Sequence, residues 1–298
     1  MADLTQASRE VGNWGRWGAD DERGALNRVT PEAVLRGLAS VRDGEILSLA
    51  LPLVPGAGPI AAGRAPMQHF MSRDGGDYAA GLRERGFGFA DDYFMMATHG
   101  TTHIDALAHV FRDRMMWNGH SADNVTSRGA QRCGIEKAGP IVTRAIFVDF
   151  GPPEGSCTSD DDLISPGALA AAVERNRVKP LPGDALLVRT GWLARFRSGD
   201  ATVNRWAGLD PACAEWIDDQ GFALVAADNI AVEGGPSSNP LDMAPMHVEL
   251  MRNRGVYFAE LLDLETLAGR GRSDFLLMIA PLPIKGGVGS PINPVAVL

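Results

Sequence analysis

Four short, almost continuously apolar runs punctuate the chain: Ala145–Phe150, Ala185–Arg189, Phe222–Ala226 and Phe275–Ile279. Runs of this length, without polar alternation, are the pattern of strands covered on both faces. Amphipathic segments lie between them, and three begin with a capping residue before proline: Thr30-Pro31, Ser165-Pro166 and Asp210-Pro211. The capping side chain accepts from a free N–H of the first turn, and proline at the first helical position gives up no hydrogen bond. The pattern predicts helices over Glu32–Val41, Gly167–Arg177 and Ala212–Gln220, the last stopped by Gly221. A fourth is predicted from Pro245 to Arg254, ending at Gly255. The first half reads differently, with strands expected in Ile46–Leu53 and Tyr93–Thr98 and a turn-rich stretch over Pro55–Arg73. The expectation is a mixed α/β body with an additional β layer.

Composition narrows the function classes. The chain has 298 residues, of which 45% are hydrophobic and 22% charged, enough apolar material for a large core and too much for disorder. Lys and Arg total 28 against 37 Asp and Glu, a net charge of -9. The densest basic patch is only Arg252 and Arg254, so neither nucleic acid nor an anionic membrane is an expected partner. Cys133, Cys157 and Cys213 form no paired framework. The polar N-terminus lacks the apolar core of a signal peptide, and no stretch is apolar enough for a membrane span, so the expected location is cytoplasmic.

The chemistry concentrates between Thr98 and Phe111. Three of the six histidines, His99, His103 and His109, fall here with Asp105 among them. A helix would turn Asp105 roughly 200° away from His103, so it cannot converge all four groups. Their offsets from His99 of 4, 6 and 10 are even, which puts all of them on one side of an extended segment. His103 and Asp105 would then be about 6.6 Å apart along the strand and His99 about 13 Å from His103. His99 can join only if the chain folds back near Gly100. Three imidazoles and a carboxylate on one face are costly to bury without an ion. Isolated histidines such as His69 and His120 are read as surface or hydrogen-bonded residues. An N/O donor set without thiolate suits Zn(2+) or Mn(2+), and iron as a further choice. Three protein ligands leave open positions, the pattern of a catalytic ion. His109, as a non-ligand, could relay a proton.

The run His99-Gly-Thr-Thr-His103-Ile-Asp105-Ala-Leu-Ala-His109 resembles the H-x-G-T-H-x-D-x-P-x-H motif of the cyclase family of metal-dependent hydrolases, which includes kynurenine formamidase and isatin hydrolase. The glycine is shifted to position 100, leaving Thr101 in its place, and Leu107 replaces the proline. Trp17–Asn27, Leu187–Trp192, Ala227-Asp228-Asn229 and Gly286–Pro291 are similar to segments of the family's longer members, so the likeness covers nearly the whole chain.

The resemblance implies an α/β, three-layer swivelling β/β/α (cyclase-like) fold with a mixed sheet. It also implies a single domain over residues 1–298, with 1–30 as an N-terminal arm. His99, His103 and Asp105 would bind a first metal, and His109 would carry the proton. In two-metal members the same aspartate bridges, and the positions matching the added ligands are His247 and Glu260. One or two ions per subunit are expected. Read without the family, His247 near a helix start and Glu260 at a strand end could equally share an ordinary hydrogen bond. Asp228 and Glu233 are either a polar pocket wall or anchors of the turn before Gly234-Gly235. The Gly286-Gly-Val-Gly-Ser run is either a tight turn or a set of N–H groups facing an anionic intermediate. Trp117 is a candidate substrate-binding wall, or else a buried tryptophan beside a turn. Neither a serine-hydrolase elbow nor a Walker arrangement occurs.

The expected activity is hydrolysis of a small cyclic or N-acyl amide by attack of metal-bound hydroxide on the carbonyl, with His109 as proton shuttle. Lactone hydrolysis and a polyketide-type cyclase or dehydratase reaction are alternatives on the same site, as is a metal-stabilised binding protein without turnover. Members of the family are dimers or tetramers, so a homodimer or homotetramer is expected. Trp14 and Trp17, read as exposed on the arm, are candidate interface residues. Loops Gly56–Arg73 and Gly75–Gly88 would shape the pocket for the small-molecule substrate.

Overall fold

The computed structural model describes residues 12–80, 87–152, 155–239 and 242–298. Residues 1–11 of the expected arm and 81–86 of the Gly75–Gly88 loop lie outside them. In chain order the strands are β1 (Ile46–Ser48), β2 (Gln68–Arg73), β3 (Asp91–Met95), β4 (His103–Asp105), β5 (Val125–Thr126), β6 (Gly129–Ala130), β7 (Ile141–Asp149) and β8 (Leu163–Ile164). There follow β9 (Ala185–Arg189), β10 (Gly208–Leu209), β11 (Leu224–Ala227), β12 (Tyr257–Glu260), β13 (Asp274–Ile279), β14 (Gly289–Pro291) and β15 (Val295–Val297).

Nine of them form one mixed sheet in the order β1-β15-β13-β7-β9-β11-β12-β4-β14. Its middle, β7, β9, β11 and β12, is parallel, and the flanking strands are antiparallel. The apolar runs of the sequence lie in β7, β9, β11 and β13, and β9 and β11 are buried at every position. The sheet must curl. β15 and β14 stand about 33 Å apart if the strands between them lie flat, yet residues 292–294 alone link them, a reach of at most about 14 Å.

Helices cover the middle of this sheet where the caps predicted them. Pro31–Ala39 starts from Thr30, whose side chain accepts from Ala33 N, and Pro166–Arg175 starts from Ser165 in the same way. Gly37 lets the first of these helices sit on β7: a Cβ there would come within 2.7 Å of the Thr143 carbonyl carbon. Cys213–Asp219 is the third predicted helix, but Asp210 does not cap it: Asp210 accepts from Ala212 N at 2.8 Å in the preceding turn, and the helix starts after Ala212 with no side-chain cap. The fourth is a π-helical segment, His247–Arg252, that gives way to Gly255 in a left-handed conformation. Besides a single turn at Gly76–Ala79, a further helix, Trp192–Ser198, lies between left-handed Gly191 and Gly199. It is seven residues long and starts at Gly191-Trp192, so it lacks the capping residue before proline that marked the first three predicted helices.

The arm tryptophans correct the sequence expectation. Trp14 and Trp17 are partly buried against the chain's own core. The Trp14 indole N–H donates to the Arg252 carbonyl at 2.8 Å, and Trp17 meets Trp117 with ring centroids 6.0 Å apart. Cover by a partner is therefore not required. The β2–β3 ribbon is the opposite case, exposed along almost its whole length, with Phe70 stacked on Tyr93. Among the described residues no helix is long and apolar enough to cross a membrane.

Candidate metal centre

β4 lies between β12 and β14, and its register assembles the site. His103 faces Glu260 across one antiparallel pair, and Asp105 faces Gly289 across the other. Directly opposed residues share a face, so His103, Asp105 and Glu260 project together while Ile104 points into the core, fully buried. His99 reaches them from a turn closed by Gly100 N donating to the Ala97 carbonyl at 3.0 Å. Its ring occupies the space a side chain at position 289 would need: a Cβ on Gly289 would overlap the His99 imidazole. His109 arrives through a second turn, its N–H donating to the Ala106 carbonyl, and its ring stacks on His99 at a centroid separation of 4.1 Å. Strand parity thus accounts for His103 and Asp105 only. The extended segment expected from His99 to His109 is instead turn, strand, turn, because β4 is three residues long. His247, at the start of the π-helical segment, completes the ring of donors.

The distances describe a single cradle. Asp105 Oδ1 is 3.2 Å from His99 Nε2 and 3.3 Å from His103 Nε2. Its other oxygen is 3.7 Å from His247 Nε2. Glu260 spans the same gap, 3.2 Å from His103 Nε2 and 3.3 Å from His247 Nε2. His99, Asp105 and His109 offer donor atoms within 4.8 Å of one another, as do His103, Asp105 and Glu260. Every donor except His109, which is partly exposed, is buried.

This donor set fits a divalent cation. His99 Nε2, His103 Nε2, both Asp105 oxygens and Glu260 Oε1 are buried with no hydrogen-bond partner. Leaving so many converging polar atoms unsatisfied is costly. Ligands about 2.0–2.1 Å from a tetrahedral ion stand roughly 3.3–3.4 Å from each other, close to the spacing of the imidazole–carboxylate contacts. Imidazole and carboxylate donors without sulfur match zinc, manganese or iron.

The far side of each ring is fixed. His103 Nδ1–H donates to the Thr101 carbonyl at 2.6 Å, and His247 Nδ1–H donates to Glu233 Oε1 at 2.6 Å. His99 Nδ1 lies 3.1 Å from Thr98 Oγ1, and Arg64 holds the His99 carbonyl at 2.6 Å. Such outer partners aim Nε2 inward, the arrangement that orients imidazole ligands.

Electrostatics follow from crowding. Burial alone would lower the pKa of His103, but the Asp105 and Glu260 carboxylates beside it raise it to about 9. Burial likewise opposes the charged form of His247, yet Glu233 and Glu260 raise it to about 10. Burial would raise Asp105, but the surrounding His109, His103 and His99 hold it well below the usual carboxylate range. His109 is pushed down to about 4, chiefly by burial, and is neutral at neutral pH.

The remaining candidates take structural places. Trp117 has no exposed surface; its indole N–H donates to Asp21 at 3.2 Å and its ring lies against Gly255. It offers no wall to a ligand here. Asp228 anchors a turn, though a different one from that expected, accepting from Thr190 N, Thr190 Oγ1 and Gly191 N at 2.7–2.8 Å. Burial still pushes its carboxyl up to about 6. Gly286 is a tight turn whose N–H donates to Glu136 and whose carbonyl accepts from Ala130 N, so that N–H is committed. His69 pairs with Asp92 and His120 contacts the Asp21 carbonyl, as isolated histidines are expected to. Glu233 is neither wall nor turn anchor. It holds His247, and no fixed spacing in the sequence announces it.

Comparison with known proteins supplies context for this geometry. A family model described as "Putative cyclase" matches residues 5–234. A crystal structure described as a novel cyclase is 35% identical, covers 98% of this chain and 99% of its own, and superposes with a TM-score of 0.89. Isatin hydrolase of Roseibium aggregatum is 23% identical over 216 residues, 70% of this chain and 75% of that protein. The structure of isatin hydrolase A from Labrenzia aggregata, bound to benzyl benzoate, is 22% identical with a TM-score of 0.64, covering 89% of this chain and 97% of its own.

Proposed function

This chain belongs to the cyclase family, and from that premise we propose that it is a metal-dependent hydrolase that opens a small cyclic amide or cleaves an N-acyl amide. The observation that carries the reading is the group of five buried donor atoms without hydrogen-bond partners that converge from His99, His103, Asp105 and Glu260. With His247, these residues would hold one or two ions. A divalent cation bound there supplies a Lewis acid for the substrate carbonyl and lowers the pKa of water to about 7. The likeness to isatin hydrolase supports an amide ring as the substrate class.

The chain's own groups perform the proton transfers. His109 is neutral at working pH and stands against His99 and Asp105, so it accepts a proton from the attacking water. The imidazolium so formed returns that proton to the departing nitrogen as the C–N bond breaks. Asp105 stabilises the imidazolium across the cradle. Burial of the remaining donors keeps bulk water from competing for them.

The test is turnover of cyclic amides, N-acyl amides and lactones by purified protein whose metal content has been measured. Chelation is expected to abolish amide turnover and Mn or Zn to restore it, with a product heavier than the substrate by one water. Loss of one water instead would identify a dehydrating cyclase. Full turnover in the metal-free protein would sink the scheme, and tight ligand binding with no chemistry would make the site a binding module.

A further inference from the structure

Glu233 is a buried carboxylate, 2% exposed, with both oxygens spent on two successive backbone N–H groups and the ring of the second residue. Oε2 accepts from Met246 N at 2.9 Å. Oε1 accepts from His247 N at 3.1 Å and from His247 Nδ1 at 2.6 Å. The carboxylate therefore fixes the start of the π-helical segment and the ring orientation of its first residue in one contact.

The chain goes to some length to deliver it. Val232, the residue before Glu233, has φ +61°, a left-handed conformation that a β-branched side chain strongly disfavours. Such a conformation persists only when its surroundings over-determine it. Here they do. Asn229, fully buried, accepts from Val232 N at 2.7 Å and donates through Nδ2 to the Ala207 carbonyl at 2.6 Å. Leu209 N donates to the Val232 carbonyl and Gly234 N to the Leu209 carbonyl, tying the turn to β10. The Trp206 indole N–H donates to the Glu233 carbonyl at 2.9 Å.

We propose that Glu233, carried on this Asn229-stapled turn, is the positioning residue for His247, fixing its Nδ1–H tautomer and aiming Nε2 at the cation. The inference rests on the metal-site reading above. It adds a residue that touches neither ion nor substrate but sets the affinity of the site. A neutral amide cannot replace it fully. Glutamine has one acceptor oxygen, so keeping the Nδ1–H contact would turn its NH2 group against the Met246 N–H.

The experiment is competition of metal-depleted wild type, Glu233→Gln and Glu233→Ala with a chromophoric chelator for Zn(2+), alongside thermal melts and the visible spectrum of each protein loaded with Co(2+). Expected are folded variants, a loss of zinc affinity of about 10–100-fold, larger for Ala than for Gln, and a changed cobalt spectrum for Ala. A merely structural role would lower the melting temperature and leave the spectrum of the folded protein as in wild type. Wild-type zinc affinity and spectrum in both variants would overturn the proposal. Failure of both variants to fold would also overturn it, by making Glu233 a folding residue. Wild type that binds no zinc removes the functional reading itself, whereas wild type that binds while the variants bind equally removes only Glu233's role.

Discussion

Glu260 stands directly opposite His103 across the antiparallel β12–β4 pair, with Oε2 3.2 Å from Nε2. Sheet register thus brings together two groups far apart in the chain, and side-chain flexibility has little part in it. Replacing Glu260 with Gln removes the negative charge while keeping shape. Bound metal measured by elemental analysis is expected to fall, with apparent affinity weaker by at least about 100-fold, beyond the usual cost of losing an outer partner. Undiminished metal content would place the ion elsewhere.

The ion-free protein should lose stability with rising pH. His103 and His247 have folded-state pKa values of about 9 and about 10, above the unfolded value of about 6.5. Their contribution is complete below that unfolded value and disappears as pH climbs through the folded values. Melting temperature of the metal-depleted protein is therefore expected to fall between about pH 7 and pH 10, apart from other groups, and the loaded protein to be flatter. Metal uptake at neutral pH should release protons, seen by calorimetry in buffers of different ionisation enthalpy. Uptake without proton release would contradict protonated imidazoles in the empty cradle.

His109→Ala separates chemistry from binding. Turnover should drop by about 10²–10⁴-fold, the typical contribution of a positioned acid–base group, while metal content stays at the wild-type level. Equal loss of metal and activity would make His109 a ligand, which its place in the His99–Asp105 grouping permits.

Gly289→Ala tests close packing. The added Cβ would overlap the His99 ring, so either strand or ring must move. A destabilisation of about 1–3 kcal/mol is expected from overpacking, together with weaker metal binding. A variant with unchanged melting temperature and affinity would show that His99 does not need that space.

Metal itself should stabilise the fold. At an ion concentration about 100 times the dissociation constant the gain is about 2.7 kcal/mol, read as a rise in melting temperature that chelation reverses. No shift with Zn(2+) or Mn(2+) would argue against a site in the native state.

Much of this was legible without coordinates because it was local. Thr30 and Ser165 sit at the helix starts their side chains cap, and the apolar runs at 145, 185, 222 and 275 lie in the sheet strands. His99, His103, Asp105 and His109 fall within one short stretch, so evenness of spacing and the cost of burying them were enough to pair His103 with Asp105 on one face. Parity failed for His99 and His109, since β4 spans only His103–Asp105 and turns take over on either side. His247 and Glu260 were available only by resemblance. Their approach depends on which strand lies beside β4, and non-local pairing leaves no fixed spacing in the chain. Trp14 and Trp17 look like a sticky tail until the core that covers them is known. Glu233 lay furthest out of reach. Its role depends on Val232 entering a conformation its own side chain opposes, and only contacts from Asn229, Ala207 and Leu209, assembled by the folded sheet, outweigh that local preference.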